Sequence, residues 1–214
     1  MDADAIEIRV LGCLIEKQRT TPDAYPLSLN ALRLACNQAT NRQPVADYDE
    51  PTIRSALERL SRKGWTRLTS GAGSRAAKYR HLLDEAVGVS PAELSLLAVL
   101  MLRGPQTPGE LKQRVERLNP FASLAEIEAA LTGLVARQLV ARLPRRPGQK
   151  EERYAQLLGN DEPVRESPEP SAAASGHDRL QAIEERVGLL ENELASLRRE
   201  LAQRETSPRG QAEA

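Results

Sequence analysis

A chain of 214 residues with 30 Lys+Arg against 30 Asp+Glu, 28% charged and 40% hydrophobic, has the balance of a soluble protein with one large domain or two small ones. Its longest apolar run, Leu94–Leu102 interrupted by Ser95, is about half of a membrane span. The acidic start Asp2-Ala3-Asp4 lacks the apolar region of a secretory leader, and two cysteines make no disulfide framework. The expectation is a cytoplasmic chain with reduced thiols and no membrane partner. At 3% aromatic residues, a base-stacking platform for single strands is disfavoured.

In chain order the first segments are an apolar helix around Glu7–Leu14, a second apolar helix ending at Cys36, and a loop rich in amides, Asn37-Gln38-Ala39-Thr40-Asn41-Arg42-Gln43. A third helix follows, with Ile53, Ala56, Leu57 and Leu60 on one face and Gly64 at its end. Next come an apolar stretch Trp65–Thr69, a Gly-containing turn Ser70–Ser74 and a strand ending in Tyr79, which together read as a hairpin. The same text then returns. Glu93–Leu100 repeats Glu7–Leu14, Ile127–Leu134 repeats Ile53–Leu60, and Arg153–Leu158 repeats Lys78–Leu83. In the second copy Ser90…Glu93, Thr107…Glu110 and Ser123…Glu126 each have the spacing of a reciprocal helix cap. Three helices and a hairpin, twice, predict an α+β protein, mainly α with small β-hairpins. The arrangement is two tandem winged-helix domains, over residues 1–86 and 87–158.

From 159 to 177 proline, serine and alanine break every period, giving a flexible linker. Leu180, Ile183, Val187, Leu190, Leu194, Leu197 and Leu201 then hold an unbroken a/d heptad, so a coiled-coil helix is predicted over 178–204, with a disordered tail over 205–214. The g positions Arg179, Arg186 and Glu193 oppose the e positions Glu184, Glu191 and Arg198, every pair of opposite sign. That pattern favours a parallel homodimer.

Charge is uneven along the chain: net +2 over 1–86, +3 over 87–158 and −5 over 159–214. The candidate DNA-binding residues are those a winged helix would present. They are Thr52, Arg54, Arg59, Arg62 and Lys63 on the third helix and Arg75 and Lys78 on the first hairpin. Arg145, Arg146 and Lys150 on the second hairpin and Arg42 in the amide loop complete the set. The loop amides could read adenine edges, but Asn in such loops more often bonds the backbone. The second copy's third helix begins with Glu126 and Glu128, the wrong sign for phosphates. Arg153 reads as structural, paired with a carboxylate. Cys13 and Cys36 sit on apolar helix faces and read as core. Nothing in the spacing of His81, His177 and the cysteines suggests a metal ligand set or a catalytic group, so no cofactor and no enzyme activity are expected.

The stretches Asn37–Val45, Ser74–His81, Leu102–Leu111 and Leu143–Tyr154, in this order, resemble the signature of the YceH family of bacterial proteins. The resemblance covers roughly residues 4–158 and implies two tandem winged helices, with a C-terminal coil in some members. It implies no ligand or activity. Ala39 departs from the basic or polar residue expected there. The expected function is double-stranded DNA binding in a regulatory or architectural role. The alternative is a protein-interaction scaffold that grips another protein, resembling the tandem winged-helix subunit of bacterial chromosome-condensation complexes.

Overall fold

In the computed structural model, which describes residues 2–69, 77–145 and 151–159, the first helix α1 (Ala5–Thr20) begins at a reciprocal cap. Asp4 accepts from the Glu7 amide at 2.8 Å and Glu7 accepts from the Asp4 amide at 2.9 Å. A two-residue strand β1 (Leu27–Ser28) leads directly into α2 (Leu29–Cys36), capped by Ser28. Helix α3 (Glu50–Arg62) is capped by Asp49 and ended by Gly64 at φ +74°, the left-handed position its sequence predicts. The strands β2 (Thr66–Thr69) and β3 (Lys78–His81) follow, then a short helix α4 (Leu83–Val87) that sequence reading did not anticipate.

The second copy repeats the order with α5 (Pro91–Arg103), α6 (Pro108–Val115), α7 (Leu124–Ala136), β4 (Val140–Leu143) and β5 (Arg153–Gln156). Full reciprocal caps form at Ser90/Glu93 and Thr107/Glu110. The third is only half formed. Ser123 accepts from the Glu126 amide at 3.2 Å, but the Glu126 carboxylate reaches past it to the Ala122 amide at 3.0 Å.

The sheets extend the repeat further than the sequence does. β1, β3 and β2 form an antiparallel sheet in that order, with Leu27 opposite Tyr79 and Leu68 opposite Tyr79 on its other side. In the second copy β4 pairs with β5, and Gln106 takes the place of β1. It exchanges backbone hydrogen bonds with Tyr154 at 3.0 and 2.8 Å. Tyr79 and Tyr154, aligned by sequence, thus occupy the same place in the two sheets.

One hydrophobic core runs through both copies. Glu7–Ile15 of α1 and Leu94–Leu102 of α5 are buried on every side. Each helix packs on its own copy with one face and on the other's first helix with the opposite face. Gly12 permits this approach, since a Cβ there would stand 2.9 Å from the Leu102 side chain. The chain end closes the unit: the Ala3 amide donates to the Leu158 carbonyl at 3.1 Å.

The amide loop is a clasp between the copies. Asn37 donates to the Tyr48 carbonyl at 2.8 Å and accepts from its amide at 2.9 Å. Arg9 reaches the carbonyls of Cys36 at 3.1 Å and Pro44 at 2.5 Å. Across the junction the Gln43 amide donates to the Leu102 carbonyl at 2.8 Å, and Arg103 donates to Asn41.

Candidate functional site

Strand alternation sends Thr66, Leu68 and Tyr79 to the face of the sheet that meets α3. The outer side of α3 and this face bound a groove of about 540 Å³. Leu57, Leu68 and Tyr79 supply its apolar wall, and Arg54, Glu58, Ser61 and Arg62 its polar one. Leu68 is 53% exposed. Arg54 and Arg62 are exposed and have no ion pair among the described residues. Thr52 stands at the start of α3, where Asp49 accepts its amide at 2.9 Å; these bonds hold the Asp49 carboxyl below its ordinary range.

Other candidates lie elsewhere. Arg42 is not a surface residue: it is 6% exposed, and its guanidinium bonds Glu16 at 2.5 and 3.1 Å, the Ala35 carbonyl at 3.0 Å and Gln38 at 3.0 Å. A guanidinium satisfied in this way has nothing left for a phosphate. Arg59 and Lys63 turn from the expected solvent face toward the start of α1. Arg59 pairs with Asp4 at 2.6 Å, and Lys63 holds both oxygens of buried Glu7 at 2.8 Å. Their charge is spent on joining α3 to α1, because burial of Glu7 demands a cation. Lys78 lies on the sheet face opposite Leu68 and Tyr79 and so does not line the groove. Arg75, Arg146 and Lys150 lie outside the described residues, as do the seven heptad positions and His177.

The second copy has the equivalent groove, about 410 Å³, between α7 and its hairpin. Glu128 stands where Arg54 does, and Arg142, opposite Tyr154, takes the place of Leu68. Glu152 pairs with Arg142 and lies 4.0 Å from Arg145, which is 62% exposed. Arg153 has the expected carboxylate, Glu110, at 3.2 Å. Against its burial, the Thr107 amide, and after it the charges of Arg153 and Arg114, hold the Glu110 carboxyl low.

Cys13 and Cys36 are core residues, both fully buried, and Cys13 donates to the Ala35 carbonyl at 3.4 Å. The Cys13 contact and burial push the Cys36 thiol well up. His81 is also internal. Its Nε2 meets Gln18 at 2.7 Å, its amide donates to the Tyr25 hydroxyl at 2.8 Å, and burial lowers its pKa to about 4. Among the described residues no three His, Cys, Asp or Glu side chains gather as a metal site, and no helix is long and apolar enough to cross a membrane.

Sequence reading missed the exposed leucine of the groove. The signal was present in the repeat alignment, which sets Leu68 against Arg142 on the same strand position.

Residues 3–149 match the family described as "Protein of unknown function, DUF480". The chain is 46% identical over 200 residues to the UPF0502 protein of Geotalea uraniireducens, covering 92% of this chain and 91% of the relative. It is 50% identical to that of Pelobacter propionicus, covering 90% and 92%, and 52% identical to that of Geotalea daltonii, covering 88% and 86%. With the match spanning both copies and the relatives aligned nearly end to end, the chain belongs to the DUF480 family of bacterial UPF0502 proteins.

Proposed function

We propose that the protein is a non-enzymatic, cytoplasmic tandem winged-helix protein that docks on duplex DNA through the α3 groove of its first copy, in a regulatory or architectural role. The order helix, strand, helix, helix, hairpin with sheet order β1-β3-β2 supports the winged-helix reading, as does the resemblance to the YceH family. The observation that carries the DNA reading is the pair Arg54 and Arg62. Both are exposed beside the hairpin and have no ion pair among the described residues, while Arg59 and, just past the helix, Lys63 are held by Asp4 and Glu7. The heptad over 178–204 supports a parallel dimer, which would present two such grooves and raise apparent affinity by linkage.

Two cations per chain, doubled by a dimer, set a modest electrostatic footprint. The logarithm of affinity should fall with the logarithm of salt at a slope of about −3 to −4, near 0.9 for each phosphate neutralised. Fluorescence anisotropy of a mixed-sequence duplex over a salt series tests this. One feature favours a second reading, in which the groove grips a polypeptide: Leu68 lies exposed beside Leu57 and Tyr79. That reading requires no salt-dependent association with duplex at low ionic strength.

A further inference from the structure

A second cleft, of about 530 Å³, lies at the junction of the two copies and is lined by no residue of α3. The end of α1, residues 38–41, the end of α5 and the end of α6 form its walls. Lys17, Arg103, Arg114 and Arg117 line it together. Its one acidic lining residue is Glu16, and Arg42 engages both of that carboxylate's oxygens. Lys17, Arg103 and Arg117 have no ion pair among the described residues, and Arg114 has only Glu110 at 3.7 Å, a carboxylate shared with Arg153.

Helix ends explain part of this clustering. Lys17, Arg103 and Arg114 occupy the last turns of α1, α5 and α6, where each offsets about half a negative charge. With Glu110 shared between Arg114 and Arg153, roughly two of the four positive charges then remain uncompensated. Burial, and next the neighbouring charge of Arg114, lower the proton affinity of Arg103. The clasp keeps the walls in place, since Asn41 accepts from Arg103 and the Gln43 amide is bonded to Leu102. The volume is that of a small-molecule site, and guanidinium groups match phosphate oxygens in geometry and charge.

We propose that this cleft binds a small phosphorylated anion carrying two to three negative charges, held by Lys17, Arg103, Arg114 and Arg117. Free diphosphate and a nucleoside diphosphate share this chemistry. The site is independent of the groove on α3 and of what that groove binds.

Isothermal titration of the full chain at low ionic strength, first with pyrophosphate and then with ADP, tests the proposal. One saturable site per chain is expected. A Lys17→Gln/Arg117→Gln variant, changed at the rim, should bind at least about tenfold more weakly, 1.4 kcal/mol. An Arg54→Gln/Arg62→Gln variant should bind like the wild type. Tighter binding of ADP than of pyrophosphate would assign the ligand to the nucleotide class, and equal binding to the phosphates alone. Should the rim variant unfold, the single Arg117→Gln variant carries the same expectation at smaller amplitude. Absence of saturation, equal weakening in the rim and α3 variants, or displacement of pyrophosphate by short duplex DNA would overturn it.

Discussion

The two copies share their backbone and differ at their surfaces. Both place a tyrosine, Tyr79 or Tyr154, at the centre of the sheet, and both end the third helix with a residue at positive φ, Gly64 or Gln138. Both fill the core with the same stripe on that helix. In the first groove Arg54 and Arg62, with no ion pair among the described residues, stand beside an exposed leucine. In the second, Glu128 replaces Arg54, and Arg142 and Glu152 close on each other across the hairpin. Packing constrains the interior of both copies alike, so divergence concentrates where side chains meet solvent. A surface with two such cations in one copy and a closed Arg142–Glu152 pair in the other is the contrast on which the proposed role of the first copy rests.

The largest difference between the copies should appear at the clasp, which only the first copy's longer loop provides. Arg42→Ala leaves the Glu16 carboxylate without its cation beneath the loop, and should cost about 3–5 kcal/mol in chemical denaturation. Among the described residues the second copy has no counterpart of this pair. A cost below about 1 kcal/mol, the level of a surface pair, would mean that the loop is not a clasp.

In the cores the copies should behave alike. Leu57→Ala and Leu131→Ala each empty a buried site in the middle of the third-helix stripe and should each destabilise by about 2–5 kcal/mol. Because one core runs through both copies, each variant should unfold in a single transition. Two separated transitions would sharpen the picture into two independently folding units.

A smaller contrast lies at His81, whose counterpart in the second copy is Gln156 and cannot titrate in this range. The native imidazole has its pKa lowered to about 4, while the unfolded chain takes up the proton near 6.5. The unfolded state therefore binds more protons between these values. Stability is fully present above pH 6.5 and should fall by roughly 2–4 kcal/mol as pH drops to 4. Denaturation of the wild type and of His81→Gln at several pH values isolates this contribution, since the variant should lose less over the same window.

Much of the fold was legible in the sequence because it is carried by local signals. Ile53, Ala56, Leu57 and Leu60 announce a helix face by spacing alone, and Ser90…Glu93 announces a helix start. β1 was not legible, because two residues hold no period and their pairing with Lys78 and Tyr79 spans half of the copy. The same holds for Gln106, a single bridging residue. The candidate site was legible only in part. Arg54 and Arg62 fall on the outer side of α3 as the helical period requires. The partners of Arg59 and Lys63 lie more than fifty residues away, at Asp4 and Glu7, and no pattern on α3 reveals them. Arg42 hides its role for a similar reason: it lies in a loop, and its carboxylate, Glu16, is on α1, 26 residues earlier.

The most direct test of binding through the first copy compares neutralisation of the two grooves. Duplex anisotropy over a salt series would be measured for the wild type, for Arg54→Gln/Arg62→Gln and for Arg142→Gln/Arg145→Gln. The first double variant should weaken binding and flatten the salt slope by about 1.8 per chain, near 0.9 for each lost phosphate contact, and the second should leave both unchanged. Equal effects of the two variants, or a wild type that shows no salt-dependent association at low ionic strength, would contradict it.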